Sequence, residues 1–423
     1  MITKRPRGTN DLLPAQTSRW QWVEEMVRKT SSSYGYQEIR TPMFEHTELF
    51  ERGIGEATDI VEKEMYTFSD RGDRSITLRP EGTAPVVRAF LENKLYAQPL
   101  PAKLFYMGPM FRYERPQAGR YRQHTQFGVE ALGSADPALD LEMITLPISV
   151  YQACGLEGFS VNINSIGCPQ CRPAYREVLL QALRSVEDEL CGSCRSRMER
   201  NPLRVLDCKV PNCRAATATV PAMVESLCGD CGDHFSVLTT LLDRLDIAYV
   251  KNPRLVRGFD YYTKTVFELT VPSLGAQDAV GGGGRYDGLV EECGGPSLPG
   301  VGFAVGIERL LLALEQQGNQ DFPQSRLDGF VVHFGGATKS EAVALVHELR
   351  RSGLQIEMDY QDRSLKAQMK AANRLGVRWV AILGGDEWER RVLNVRWMDE
   401  GSASEVSLER AAEVLLRAKE EQD

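Results

Sequence analysis

The sequence predicts an α+β fold: a larger domain built on a mostly antiparallel sheet with flanking helices, followed by a smaller α/β domain. Three observations carry this expectation. From Leu104 to Gly133 apolar residues alternate, stop at Glu114-Arg115-Pro116-Gln117-Ala118-Gly119, and resume through Gln126, Val129 and Glu130, as in an antiparallel hairpin with a long tip. A polar stretch, EQQGNQDFPQSRLD, containing Gly318 and Pro323, then reads as a domain boundary. Beyond it strands GFVVHFGG, LQIEMDY and VRWVAILGG alternate with helices KSEAVALVHELRRSG and RSLKAQMKAANRLG, before a strand VLNVRWMD and a closing helix. That alternation implies a small, mostly parallel sheet with helices on both faces.

At 423 residues the chain is long enough for two or three domains, each with its own core. Its 42% hydrophobic and 26% charged content is that of an ordinary soluble globular protein. No apolar run approaches the roughly 20 residues of a membrane span. The opening MITKRPRGTNDLLP has no apolar signal region, so a cytoplasmic location is expected. A net charge of -8 argues against a wholly basic nucleic-acid binder, and any RNA must be met by local patches.

In chain order, Asn10 or Asp11 is a candidate cap for a helix on which Trp22, Val23, Met26 and Val27 fall at helical spacing, closed by Tyr34-Gly35. The strand-like QEIRTPMFEHTELF carries Pro42, which removes a ladder donor and suits an edge, an interface or a simple strand end. Met65 to Phe68 and Ser75 to Leu78 alternate like two strands about Asp70-Arg71-Gly72-Asp73. Arg79-Pro80-Glu81-Gly82-Thr83 then leads into an amphipathic helix from Ala84, where Glu81 and Thr83 can cap the helix or hold a substrate ammonium. At the hairpin tip Arg112, Arg115, Arg120 and Arg122 are dense enough to repel one another, which suits planar oxyanions such as phosphates. An apolar helix from Asp136 to Cys154 backs the sheet.

Eight of the ten cysteines fall between Cys168 and Cys231, in the pairs Cys168/Cys171, Cys191/Cys194, Cys208/Cys213 and Cys228/Cys231. They can make up to two four-thiolate zinc sites; buried free thiols and disulfides are the other readings. After them, NPRLVRGFDYYTKTVFELT is a polar turn feeding a strand from Thr263 to Leu269. The glycine run AVGGGGRYDGLVEECGG lacks the spacing of a dinucleotide loop, and no P-loop pattern occurs. LPGVGFAVGIERLLLALE runs from a strand into a helix near Ile307, with Arg309 in the first turn, a poor place for a cation unless an anion is near. Near the C-terminus Arg363, Lys366, Lys370 and Arg374 share one helical stripe, either a solvated face or a contact for RNA.

Several of these segments resemble the histidyl-tRNA synthetases of the class II aminoacyl-tRNA synthetase family. FRYERPQAGRYRQHTQ resembles their motif 2, the helix, strand and Pro42 their motif 1, and GVGFAVGIERL their motif 3. TLRPEGTAPVVRAF and RGFDYY resemble their histidine-specific segments. The resemblance implies the class II antiparallel sheet in a catalytic domain over residues 1–325, a helical, cysteine-rich insertion at 168–245, and an anticodon-binding domain at 326–423. It implies a homodimer, with ATP, Mg2+, L-histidine and tRNA(His) as ligands. Among site residues it implies Arg112, Arg257 and Arg309 on ATP, and Glu81, Thr83, Gln126, Glu130, Tyr261 and Tyr262 on histidine. Arg115 and Gln117 would approach the tRNA acceptor end. Synthetase-like regulatory subunits of ATP phosphoribosyltransferase are the alternative; they share only the catalytic domain and generally lack the C-terminal one. The family resemblance does not decide the zinc question.

Overall fold

The computed structural model describes residues 3–421 except 56, 57, 59, 276, 277, 320, 321 and 323–325. It divides into two compact units, Met1–Phe322 and Pro323–Asp423. Pro323 and residue 325, at the predicted boundary, lie outside the described residues.

The first unit carries β1 (Gln37–Glu38), β2 (Phe44–His46), β3 (Tyr66–Ser69), β4 (Ser75–Leu78), β5 (Ala102–Phe111), β6 (Gln123–Leu132), β7 (Ser160–Ser165), β8 (Tyr249–Lys251), β9 (Thr263–Thr270), β10 (Ala279–Arg285) and β11 (Gly300–Gly306). Eight of these make one sheet in the order β1-β5-β6-β11-β10-β9-β7-β8, antiparallel except for its two outermost pairs. β2, β4 and β3 make a separate small sheet. The predicted strand QEIRTPMFEHTELF is therefore broken into β1, β2 and the helix Thr47–Ile54. The break falls at Arg40-Thr41-Pro42, where the buried Arg79 guanidinium bonds to the Thr41 carbonyl at 3.0 Å and to Pro109 O at 2.9 Å. The first helix is also corrected. It runs Pro14–Ser33, with proline setting the first turn and Gln16 Oε1 accepting from the Leu13 N–H at 3.2 Å, so neither Asn10 nor Asp11 caps it.

Register decides what each face of the large sheet can do. On one face Phe105, Phe127, Val129, Phe267, Leu269, Phe303 and Val305 pack against helices Pro14–Ser33, Pro137–Ala153 and Ile307–Gln316, burying Trp20, Val23 and Val27. Each such side chain contributes about 1.5–3 kcal/mol through burial. The other face is different in kind. Across it Leu104, Glu130 and Gly302 stand opposite one another, as do Tyr106, Gly128 and Ala304, and Gly108, Gln126 and Gly306. Gly282 and Gly284 continue this face toward Glu268 and Val266.

Between β7 and β8 lies a helical insertion: Arg172–Arg184, Gly192–Arg200, Leu203–Leu206, Pro211–Ala216 and Gly229–Arg244. Tyr175, Leu179, Leu183, Met198 and Val205 form its core together with cysteines. The far end of its last helix, with Leu238 and Leu242, belongs to the core of the main sheet.

In the second unit β12 (Gly329–His333), β13 (Ile356–Met358), β14 (Trp379–Leu383), β15 (Val392–Trp397) and β16 (Ala403–Ser407) are ordered β13-β12-β14-β15-β16. β12 pairs parallel with β13 and β14, but β14-β15-β16 is antiparallel, so the sheet is mixed and not mostly parallel. The chain returns directly from Trp397 to Ala403, too short a link for a crossover helix. Of the predicted basic stripe, Lys366, Lys370 and Arg374 lie exposed on helix Leu365–Leu375. Arg363 precedes that helix and pairs with the buried Asp359.

Candidate active site and metal centres

The glycine-bearing face of the sheet gathers most of the candidate residues. Glu130, at its centre, is 1% exposed. Its carboxylate accepts hydrogen bonds from Thr83 Oγ1 at 2.7 Å and from the Tyr286 hydroxyl, and a Cβ on Gly302 would collide with it. Burial pushes its acid up to about 8; Tyr286 and Thr83 restrain the rise and neighbouring Glu81 adds to it. No cation is paired with it among the described residues. Glu81, also buried, accepts from the backbone N–H of Thr83 at 2.6 Å and of Ala84 at 2.9 Å, capping helix Thr83–Glu92. Burial raises it too, against those donors and the charge of Arg112. Two bonds leave a carboxylate further acceptor capacity, so the capping role and a ligand role are compatible. Tyr261 and Tyr262 wall the same space: their rings are 4.7 Å apart, Tyr261 meets Tyr286 edge-on at 5.6 Å, and Phe259 stacks on Tyr261 at 5.2 Å. Gln126 Oε1 is buried with no hydrogen-bond partner among the described residues.

The three arginines stand at separate points of the same domain. Arg112 follows β5, donates to Pro80 O at 2.7 Å and lies 6.0 Å from the Phe259 ring centre. Arg257 lies over Gly282, where a Cβ would sit 3.0 Å from Nη1, and pairs with Glu268 at 2.7 Å. Burial opposes its charge, but Glu268 together with Tyr262 and Tyr261 more than compensates. Arg309 donates to Ala279 O at 2.5 Å. Burial and then Arg120 weaken its hold on its proton, while Asp278, Glu114 and the same Glu268 strengthen it. His124 connects the remaining side. Burial, then Arg112 and Arg120, bring it down to about 3, so it is neutral among cations. Arg115 and Gln117 stand apart, exposed at the hairpin tip.

Sequence reasoning did not single out Tyr286, Glu268 or Tyr106. The spacing of the glycine run excludes a dinucleotide loop and by itself indicates no positive role. As β10 it is a floor, since a Cβ at Gly282 or Gly284 would press on the Arg257 guanidinium or the Tyr262 ring, each 3.0 Å away. A glycine run flanked by alternating strands, ending in Arg285-Tyr286, was the available signal.

The eight clustered cysteines form two groups, Cys168/Cys171/Cys228/Cys231 and Cys191/Cys194/Cys208/Cys213, with the sulfurs of each within 4.8 Å of one another. In the first, Cys168–Cys171, Cys168–Cys228 and Cys171–Cys231 stand 3.6, 3.8 and 3.7 Å apart. A disulfide requires about 2.0 Å. Four sulfurs about 2.3 Å from one tetrahedral ion stand about 3.8 Å apart, so this donor set fits zinc. Cys154 and Cys293 lie outside both groups.

Comparison with known proteins agrees with this architecture. Residues 8–310 match the family model described as histidyl-tRNA synthetase, and residues 329–418 match an anticodon binding domain. Histidine–tRNA ligases of Desulforamulus reducens and Moorella thermoacetica are each 54% identical, over 96% of this chain and 97% of the first relative, and over 99% of this chain and 99% of the second. The structure of apo S. aureus histidyl-tRNA synthetase superposes with a TM-score of 0.84 at 40% identity, covering 98% of this chain and 100% of that one. With the family model matching residues 8–310 and relatives 54% identical over 96% and 99% of its length, the chain belongs to the histidyl-tRNA synthetase family.

Proposed function

We propose that the glycine-floored pocket carries out both steps of histidine ligation to tRNA(His), with the residue roles that follow. The reaction is that of the family. L-histidine and ATP give histidyl-adenylate and diphosphate; the histidyl group then passes to the 3′ end of the tRNA and AMP leaves. ATP enters as its Mg2+ complex, the ion neutralising charge on the outer phosphates.

The attacking carboxylate of histidine is ionised at neutral pH, so the first step needs no general base. It needs in-line placement and cations about the phosphoryl oxygens. Arg112 holds the α-phosphate, Arg257 approaches it from the opposite side, and Arg309 holds the γ-phosphate. Glu268, paired with Arg257, also favours the charge of Arg309, and Arg120 bears on both Arg309 and His124, which Arg112 faces as well; these shared neighbours support a single phosphate pocket.

Glu130 is the observation that carries the histidine assignment. A buried carboxyl with tyrosine and threonine donors but no cation is suited to a ligand that brings its own N–H. Glu130 and Tyr262 take the imidazole nitrogens, Tyr261 walls the ring, and Glu81, Thr83 and Gln126 take the ammonium. A side chain unable to satisfy Glu130 would be rejected by about 10⁴-fold or more. Arg115 and Gln117 meet the acceptor end of the tRNA, and Lys366, Lys370 and Arg374 meet phosphates of the anticodon arm.

Each four-thiolate group holds one structural zinc ion, which takes no part in the chemistry. A homodimer forms through the face bearing the exposed Met43, Phe44 and Phe68. No described helix is long and apolar enough to cross a membrane. We assign the ligase to the cytoplasm, where tRNA is charged. The regulatory-subunit alternative is disfavoured by the near-complete match to ligases and by the anticodon-binding domain.

Exchange of labelled pyrophosphate into ATP tests the proposal. Exchange should require histidine; exchange driven by threonine or proline instead, or none with any amino acid, would overturn it.

A further inference from the structure

The cysteine-rich insertion does more than fold on itself: it holds the segment that carries Arg257 and Tyr262. Arg172, next to Cys171, donates to the Tyr262 carbonyl and, at 3.2 Å, to Ile166 O. Arg204 Nη1 donates to the Arg257 carbonyl at 2.9 Å. Asn201 Nδ2 donates to Asp260 Oδ1 at 2.7 Å; burial raises that acid, and Arg204, Arg172 and Asn201 restrain the rise. Each residue of the segment that is gripped lies beside or within the pair Arg257 and Tyr262.

The two cysteine groups anchor different halves of this grip. Arg172 begins the helix that follows Cys168 and Cys171. Asn201 follows helix Gly192–Arg200 and Arg204 lies on helix Leu203–Leu206, both within the stretch between Cys194 and Cys208 that the second group closes. A cavity of about 330 Å³, lined by Arg172, Arg204, Val256, Phe259 and Asp260, separates the insertion from the segment. Beside this cavity Leu203 of the insertion packs against the apolar cluster of Val256, Tyr261 and Tyr262, and the polar links add directed contacts to the backbone of the segment.

We propose that the metal-closed insertion is a clamp, with Arg172, Asn201 and Arg204 as positioning residues that set where Arg257 and Tyr262 stand in the pocket. This rests on the assignment of Arg257 and Tyr262 to the ligase site. The clamp makes zinc occupancy a control on adenylate formation, although none of the eight cysteines is among the residues assigned to the ligase site. Zinc in the first group fixes the Tyr262 side, and zinc in the second fixes the Arg257 side.

Two measurements on the full-length protein test it. Amide hydrogen exchange is followed before and after zinc is stripped with a chelator; exchange in residues 257–262 should rise at least as much as in the insertion. Single-turnover adenylate formation is followed in Arg204→Ala and Asn201→Ala, which leave every cysteine in place. Arg204→Ala should slow the step by about ten- to a hundred-fold, the scale of a small misplacement of a catalytic group, with the KM for ATP little changed. Unchanged exchange at 257–262 after zinc loss, or a parent-like rate in Arg204→Ala, overturns the clamp. Arg257→Ala, run beside them, separates the two ideas: if it is slow while Arg204→Ala is not, only the clamp fails. If Arg257→Ala is also parent-like, the site assignment falls.

Discussion

Asp140 and Glu130 are carboxylates buried to the same degree, on opposite faces of one sheet, and their surroundings differ completely. Asp140, on helix Pro137–Ala153, is 0% exposed and receives the Arg285 guanidinium through Nη2 and Nε, with His234 Nε2 3.1 Å away. Burial would raise it, but His234 and Arg285 overcome that and hold it below the usual carboxylate range. Glu130, 1% exposed, has hydroxyl donors and another acid beside it, and is pushed up to about 8. Arg285 and Tyr286 are neighbours in the chain, and each serves one of the two acids. The difference teaches a rule for reading such sites. A buried charge supplied with its counter-charge is a brace; one left with neutral donors is waiting for a ligand.

The largest effect should come from breaking the brace. Asp140→Ala leaves Arg285 buried without its partner and should cost about 3–5 kcal/mol of stability, read as a drop in the midpoint of denaturant unfolding. Glu130→Gln should do the reverse, folding well but losing about a hundred-fold or more in kcat/KM for histidine in the exchange assay. Equal loss of stability in the two variants would erase the distinction.

Stability against pH sharpens the comparison, because the two acids have opposite signs. Asp140 is lowered in the fold, so its contribution is present above its unfolded value and is lost as pH falls through its folded one. Glu130 is raised, so the folded state holds the extra proton and is penalised as pH climbs from the ordinary value of 4.5 toward about 8. Glu130→Gln should therefore match the parent near pH 5 and be the more stable of the two near pH 8. A difference that does not grow with pH would contradict the environment described for Glu130. Smallest of all, Tyr286→Phe removes one donor and should weaken histidine binding by about 1 kcal/mol, raising the Glu130 acid further.

Much of this was legible in the sequence, and the reasons are specific. The hairpin of β5 and β6, the strands β3 and β4 around Asp70, and the helix carrying Arg309 follow from alternation and turn chemistry that act locally. β10 was not legible, because glycine has no strand propensity and its place is fixed by what lies on it. β16 was missed for a similar reason: ASEVS is too polar to announce a strand. The cysteine spacings allowed two sites but not their membership, since Cys168 meets Cys228 and Cys191 meets Cys213 only through the fold of the insertion. Tyr286 and Glu268 reach the pocket through register across three strands, which no single segment reveals.

The most direct test of the account is single-turnover formation of histidyl-adenylate by Arg257→Ala. The guanidinium lies over Gly282 and is paired with Glu268; in the proposed site its charge acts chiefly as the transition state forms. The rate should fall by about 10²- to 10³-fold while ATP binding changes little. A rate near that of the parent, or a loss confined to ATP affinity, would contradict the claim that this pocket works by arginines converging on the triphosphate.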